Sequence, residues 1–194
     1  MKKLILGVVL GATLSGVTAA YANDIQTYLF PSHFYINGSI TPVDPEYEVL
    51  NYNGHAYVPV RFITENMGGD IGYENNNNTN SITINYFPAG KEVLADSTNP
   101  QVRAGLINLF LDGDSTVIAG LLSIDVSSDP KDTLYSVAYE LSFYDKVENL
   151  IATYKYDTAE KPIKNKEIQF TYGSVIGDVT HYDHVKLKVI KVNK

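Results

Sequence analysis

Tyr-Ser-Val-Ala-Tyr-Glu-Leu-Ser-Phe, residues 135–143, alternates large apolar or aromatic side chains with small or polar ones. Successive side chains of a β-strand point to opposite faces of a sheet, so a period of two is typical of a strand with one buried face. The stretch therefore predicts a strand whose odd-numbered side chains enter a core. These inward residues are Tyr135, Val137, Tyr139, Leu141 and Phe143.

Further strands are predicted on both sides of this stretch. Asp112-Gly113 is a hairpin signal that joins residues 106–111 to residues 116–124. Two later segments repeat the period of two, and several strands at this spacing with little helix predict an immunoglobulin-like β-sandwich over residues 105–194. The inward positions predicted in the later segments are Ile168, Phe170, Tyr172, Val185, Leu187 and Val189.

The first half of the chain predicts short antiparallel hairpins around one helix, over residues 23–86. Asn37-Gly38 and Asn53-Gly54 are typical of two-residue hairpin turns, because both positions accept a positive φ. Pro59 suits the first turn of a helix, and Gly68-Gly69 would end that helix. Its apolar stripe is predicted to be Val60, Ile63 and Met67. Turn-forming residues over 87–104 predict a linker between the two halves.

The beginning of the chain predicts a cleaved signal peptide over residues 1–22. Lys2 and Lys3 precede the apolar stretch from Leu4 to Ala12, and a signal peptidase pattern follows. An uncleaved anchor helix is the alternative. No later segment approaches the about 20 apolar residues that span a bilayer, so we expect no integral membrane segment in the mature form. The residues of the predicted cleavage site are Ala20, Ala22 and Asn23.

The composition indicates where the protein is located and which kinds of partner it can bind. It has no cysteine, which favours a bacterial exoprotein and removes the residue that carries the lipid of a bacterial lipoprotein. Its net charge is −7, and loss of Lys2 and Lys3 would make it about −9. An acidic exterior repels nucleic acid and anionic membranes and favours cations, basic partners or neutral glycans, although solubility explains the charge equally well.

The segment Asn-Gly-His-Ala-Tyr-Val-Pro-Val-Arg-Phe-Ile-Thr-Glu-Asn-Met-Gly-Gly, residues 53–69, resembles the signature of a known family. The family is the stalk domain named after the amino-terminal domain of copper amine oxidases. Residues 35–38, 70–73 and 81–84 are similar to its flanking hairpins, so the resemblance covers residues 25–86, with Tyr73 where tryptophan is usual. It implies a module that is attached to, or spaces, other activities at the bacterial surface.

A second resemblance lies in the predicted sandwich, over residues 105–192. Leu-Ser-Phe-Tyr-Asp, residues 141–145, is similar to the F-x-L-Y-D motif of a bacterial extracellular domain family, with leucine and phenylalanine exchanged. Residues 150–152 continue as that family does, Gly120 stands where it has a strand glycine, and Asp125 replaces its common asparagine. The resemblance implies a binding or structural module.

We predict that the chain is not an enzyme and carries no cofactor. The quinone-forming tyrosine motif of copper amine oxidases is absent around Tyr52 and Tyr86, and no serine lies in a G-x-S-x-G motif. Acid pairs such as Glu46 and Glu48, or Glu140 and Asp145, have no context that distinguishes a hydrolase.

Two groups of residues remain as candidate binding sites. The first is a metal site, although a surface loop is the alternative because residues three apart on a strand face opposite ways. It consists of His181, Asp183 and His184. The second is a tyrosine surface, although these rings can instead brace neighbouring strands. It consists of Tyr52, Tyr57, Tyr73 and Tyr86.

The hypothesis for the whole chain is a secreted, non-enzymatic, cell-envelope-associated binding or spacer protein of a Gram-positive bacterium. Its expected partners are a cell-wall polymer or another surface protein, and not nucleic acid. The alternatives are an extracellular metal-binding protein and a small hydrolase that uses carboxylates.

Overall fold

The structure is a computed structural model that describes residues 26–76 and 79–194. The predicted signal peptide and its cleavage site at Ala20, Ala22 and Asn23 lie outside these residues. Within them the chain is mainly β, with antiparallel sheets and one short helix, which confirms the predicted fold class. No helix in this part of the chain has the length and apolar character needed to cross a bilayer.

The elements of the described residues follow in chain order. The first strands are β1 (Tyr28–Leu29), β2 (Phe34–Ile36), β3 (Ser39–Thr41), β4 (Leu50–Tyr52) and β5 (His55–Tyr57). Next come helix α1 (Val60–Asn66) and strands β6 (Asp70–Asn76), β7 (Thr79–Asn85) and β8 (Val93–Asp96). The remaining strands are β9 (Asn99–Asp112), β10 (Ser115–Ile124), β11 (Leu134–Tyr144), β12 (Leu150–Asp157), β13 (Ile163–Lys164), β14 (Ile168–Ile176) and β15 (His184–Asn193).

The described residues form two compact units. The first contains residues 26–34 and 42–59, and its strands β1, β4 and β5 form a three-stranded antiparallel sheet. The second contains residues 35–41 and 60–194. The predicted boundaries of the two domains stay predictions.

The two Asn-Gly hairpin turns are present as predicted. Asn37 and Gly38 have φ values of 52° and 79° between β2 and β3, and Asn53 and Gly54 have 49° and 79° between β4 and β5. These left-handed conformations are those that a two-residue hairpin turn requires.

Helix α1 ends at its glycine pair, as predicted, but it buries a different face. The Gly69 N–H donates to the Thr64 carbonyl at 2.9 Å and the Gly68 N–H donates to the Glu65 carbonyl at 3.0 Å, the two bonds of a Schellman cap. The predicted stripe is wrong at Val60 and Met67, which are 39% and 64% exposed. Phe62 and Thr64 are the buried side chains, because the helix packs on the following strand β6 with this face.

The second unit contains a two-sheet β-sandwich. One sheet has the order β14-β10-β9-β8, and the other has the order β12-β11-β13, with β15 also paired to β11. All five residues predicted to point inward from β11 are buried between the sheets, as are the three predicted from β15. The core residues that they meet from the opposite sheet include Leu94, Val102, Ile118, Leu122 and Ile124.

Residues 87–104, predicted as a linker, contain β8 and the beginning of β9, which pair with each other inside the sheet. The linker stays a prediction as a domain boundary. The inward face predicted for β14 is wrong. Gln169 and Thr171 are buried, whereas Phe170 and Tyr172 are 54% and 69% exposed. The period of two is correct, but the hydroxyl of Thr171 lies 3.2 Å from the buried Tyr139 hydroxyl, so the polar side of β14 faces the core.

Candidate ligand-binding surface

The exposed side of the sheet β14-β10-β9 carries several large apolar side chains. Its strands are in register, so that Val117 lies between Phe110 and Ser174, and Ala119 lies between Asn108 and Tyr172. Leu121 lies beside Phe170 in the next row. We call this surface the outer aromatic face. It consists of Asn108, Phe110, Val117, Ala119, Leu121, Phe170, Tyr172 and Ser174.

Three rings dominate the outer aromatic face. Phe110 is 54% exposed, and Phe170 and Tyr172 expose similar or larger fractions. The rings of Phe170 and Tyr172 have centroids 6.3 Å apart and planes inclined by 23°. Residues two apart on a strand are separated by about 6.6 Å, so these two side chains leave β14 on the same side as neighbours with nearly parallel rings.

A shallow pocket adjoins one end of this face. It has a volume of about 240 Å³ and lies between β7 and the outer aromatic face, where Ile84, Tyr86, Leu121 and Phe170 line it. The carboxamide Nδ2 of Asn85 donates to the Ile168 carbonyl at 2.8 Å, which ties β7 to β14 at this end. Leu121 is only 7% exposed because β7 lies over this part of the sheet.

The predicted tyrosine surface is divided by the fold. Tyr52 and Tyr57 belong to the first unit, where their rings meet edge to face with centroids 6.0 Å apart. Tyr73 and Tyr86 belong to the second unit, and the Tyr73 hydroxyl donates to Asn80 Oδ1 at 2.8 Å. All four side chains are at least 38% exposed. Tyr86 lines the pocket beside the outer aromatic face, together with Phe170.

The predicted metal-binding residues pair with different neighbours. His181 Nε2 lies 3.8 Å from Asp178 Oδ2 on an exposed turn. His184 Nδ1 lies 3.3 Å from Asp183 Oδ2, and its Nε2 lies 3.5 Å from Glu148 Oε1. Over residues 26–76 and 79–194, no three His, Cys, Asp or Glu residues are grouped so that they could hold a metal ion.

His184 is held by contacts that suit a structural role. Its ring stacks on Tyr144, with centroids 5.2 Å apart and planes inclined by 8°. The Lys186 ammonium lies 4.6 Å from the centroid of the same tyrosine and 3.1 Å from Glu148 Oε2. Ring stacking and charge pairs of this kind hold an exposed strand edge in place.

The Leu-Ser-Phe-Tyr-Asp segment places its aspartate in a turn between β11 and β12. Asp145 Oδ1 accepts from the N–H groups of Val147 and Asn149, both at 2.9 Å, and its Oδ2 accepts from Asn149 Nδ2 at 2.9 Å. These hydrogen bonds favour the charged carboxylate and hold the pKa of Asp145 below its usual range. The residue therefore shapes a turn, and Glu140, its suggested acid partner, forms an ion pair with Lys155 at 2.9 Å.

The core between the sheets contains tyrosines with raised pKa values. Burial raises the pKa of Tyr139 to about 12, and burial also raises the pKa of Tyr154. A hydrogen bond to Asp129 and burial together raise the pKa of Tyr135 to about 12. The same Asp129 carboxylate pairs with the Lys194 ammonium at 2.9 Å. These hydroxyls serve the packing of the sandwich, since each stays protonated and covered at neutral pH.

The first unit has a groove of its own. It has a volume of about 340 Å³ and an apolar lining that includes Phe30, Pro31 and Val43, with His33 and Glu48 at its margin. It is a shallow surface depression, and Glu48 is the one carboxylate in its lining, so it does not hold the acid pair that a carboxylate-dependent hydrolase needs.

The sequence prediction missed the three rings of the outer aromatic face. Phe170 and Tyr172 were assigned to the core because their spacing has the period of a buried face, and Phe110 was not singled out. No local signal distinguishes them, because Gln169 and Thr171, on the alternate side of the strand, are residue types that are mostly exposed in proteins.

Comparison with known proteins identifies part of the chain. Residues 11–82 match the family described as Copper amine oxidase N-terminal domain, which confirms the resemblance predicted over residues 25–86. This domain is a non-catalytic, stalk-like domain. Neither the comparison with curated proteins nor that with solved structures gives a significant match. The resemblance of the sandwich to the F-x-L-Y-D family stays a prediction.

Proposed function

We propose that this protein is exported and acts, without catalysing a reaction, as a binding or spacer module in the envelope of a Gram-positive bacterium. The observation that carries the proposal is the match of residues 11–82 to a non-catalytic, stalk-like domain. A module of this kind holds or spaces other components, so its partners are a cell-wall polymer or another surface protein.

The sandwich supports this role because it offers a rigid body with a binding surface. Its core is continuous between two four-stranded sheets, and its residues include Phe143, Leu141 and Val137, each at most 1% exposed. Burial on this scale stabilises the fold without disulfides, and the chain has no cysteine. The outer aromatic face then presents exposed rings on a backbone that cannot easily deform.

Export is tested by locating the protein outside the cell and determining its first residue. The full-length chain should be produced in a Gram-positive host, and the medium and the washed cell walls should be collected separately. We expect the protein in these fractions with Asn23 as its first residue, determined by amino-terminal sequencing. Retention of an intact Met1 terminus in the membrane fraction would show the anchor helix instead.

Wall association is tested by sedimentation of the processed protein with purified cell walls. We expect the protein to sediment with walls and to remain in solution without them. Walls stripped of their anionic polymers should retain it at least as well, because the chain carries a net charge of −7 and is repelled by anionic polymers. No retention on either preparation, together with no crosslinked surface protein, would contradict the proposed function.

A further inference from the structure

We infer that the outer aromatic face binds an uncharged glycan chain built of N-acetylated amino sugars. This inference rests on the proposed function and deepens it, because it names the polymer and the surface that meets it. The starting observation is that Phe110, Phe170 and Tyr172 are each more than half exposed on one side of one sheet. Contiguous exposed apolar surface on a folded domain marks a site of interaction.

The geometry of the rings suits a sugar. Phe170 and Tyr172 are exposed neighbours on one strand, with ring centroids 6.3 Å apart and planes inclined by only 23°, so they form one stacked pair of rings. The apolar C–H face of a pyranose stacks on an aromatic ring, and successive sugars of an extended chain present such faces at a spacing close to that of neighbouring rings. Phe110 lies across β10, one row from Tyr172 and two rows from Phe170, and adds a third exposed ring.

The charge distribution selects an uncharged ligand. Arg103 and Asp112 lie at the two ends of the face on β9, and the three cross-strand rows between them contain no charged side chain. The chain as a whole has a net charge of −7, so it repels anionic polymers by long-range electrostatics. An uncharged polymer has no charged group to dehydrate when it binds this face, and the negative charge of the protein does not repel it.

The remaining side chains of the face match the acetamido group. Asn108 donates its Nδ2 to the Leu106 carbonyl at 2.9 Å, which leaves its Oδ1 as an acceptor for an amide N–H of the ligand. Ser174 and the Tyr172 hydroxyl are further polar groups in the same rows. Val117 and Ala119, on the central strand of these rows, are the apolar side chains on which an acetyl methyl would pack.

The test is a titration of the protein without its signal peptide with chitohexaose, measured by isothermal titration calorimetry and by amide NMR chemical shifts. We expect saturable binding that weakens about tenfold in Tyr172→Ala, the factor that about 1.4 kcal/mol represents. Phe170→Ala should have a similar effect, and Tyr172→Phe should keep the affinity because the ring remains. The matched control is Tyr35→Ala, which removes a ring that is 70% exposed on the β2–β3 hairpin and should leave binding unchanged.

Each contrary result overturns the inference. No binding by the unchanged chain, or equal binding by Tyr172→Ala with a native melting temperature, would remove the glycan from this face. Equal affinity for cellohexaose would show that the acetamido group is not recognised. A dimer that dissociates in Tyr172→Ala would assign the face to a second copy of the chain. Wall retention that persists in both alanine variants would leave the proposed function standing while this inference fails.

Discussion

Gly120 lies inside strand β10, where a side chain would collide with strand β9. A Cβ atom there would lie 2.7 Å from Ile107 Cδ1 and 3.2 Å from the Gly105 carbonyl oxygen. The bulge between β9 and β10 at Ala119 and Leu121 brings the two backbones together at this point. The family resemblance that placed a strand glycine at this position therefore agrees with a steric requirement.

We predict that Gly120→Ala destabilises the protein by about 1–3 kcal/mol, the usual cost of overpacking a core. The measurement is the free energy of unfolding from urea titration. Gly72→Ala is the matched control, because Gly72 also lies in a strand and a Cβ there would meet Thr83 Cβ at 3.8 Å, an ordinary contact. Equal stability of the two variants would show that β9 can move away from β10.

Asp145 is a second residue whose role follows from its contacts. We predict that Asp145→Ala lowers the melting temperature at neutral pH, because the carboxylate organises the turn from Val147 to Asn149 through three hydrogen bonds. Its pKa is lower in the fold than the ordinary 3.8, so its contribution is present above pH 3.8 and is lost as the pH falls through the lower value.

The pH dependence supplies the control for Asp145. Thermal melts of the two proteins should differ at neutral pH and converge in acid, once the carboxyl of the unchanged chain is protonated. Asp145→Asn should lie between them, since its amide oxygen still accepts hydrogen bonds without the charge. A difference in melting temperature that is the same at both pH values would show that the carboxylate charge contributes nothing.

At the scale of single elements, the cap of helix α1 decides how the chain enters β6. Gly68 has a φ of +77°, a conformation that costs a residue with a Cβ about 1–2 kcal/mol. We predict that Gly68→Ala destabilises the protein by about 1 kcal/mol and that Gly68→Asn destabilises it less, because asparagine tolerates the left-handed region better. Urea titrations of the three proteins measure the differences. Equal stability of the alanine and asparagine variants would contradict this account.

Strands β11 and β14 show how far the sequence determines an element. In β11 every inward side chain is large and apolar, so period and burial agree and the prediction is confirmed. In β14 the aromatic side is the exposed one, because Thr171 reaches a buried hydroxyl that only the opposite sheet provides. The hairpins were predictable because Asn-Gly restricts φ locally. The faces of β14 were not, since they depend on a partner 32 residues away in sequence.

The same reasoning applies to the candidate sites. The spacing of His181 and His184 argues against a shared metal ion, because residues three apart on a strand face opposite ways. In the structure His181 pairs with Asp178, and His184 pairs with Glu148. Glu148 lies 36 residues before His184 in the chain, on the turn that follows β11. A contact of this range requires the register of β11 with β15, which no local pattern contains.

At the scale of the whole molecule, the two sheets of the sandwich have different roles. One sheet supplies most of the core, and the other exposes the proposed binding surface. The β12-β11-β15 sheet contributes most of the large side chains of the core, while the sheet β14-β10-β9 contributes small or branched ones and exposes its rings on the other side. An uncharged face on a chain with a net charge of −7 is a local exception to the overall charge. This contrast is the reason that we assign ligand recognition to that face and stability to the interior.

The interior makes the stability of the whole molecule sensitive to alkaline pH. An unfolded tyrosine loses its proton near pH 10, whereas Tyr135 and Tyr139 in the fold keep theirs until about pH 12, and Tyr154 is also raised. Deprotonation therefore favours the unfolded chain between these pH values. We predict that the free energy of unfolding is constant from neutral pH to about pH 10 and falls steadily as the pH rises to 12.

Urea titrations at a series of pH values measure this fall, and the ultraviolet absorbance of tyrosinate reports the protons lost by the folded chain. Tyr139→Phe should make the fall less steep, because one buried hydroxyl no longer titrates. Tyr35→Phe should leave it unchanged, because Tyr35 is 70% exposed. An unfolding free energy that stays level from pH 10 to 12 would show that the core tyrosines ionise as easily in the fold as outside it. In that case their hydroxyls would be in contact with water, and the sandwich would be more open than the packing between its two sheets indicates.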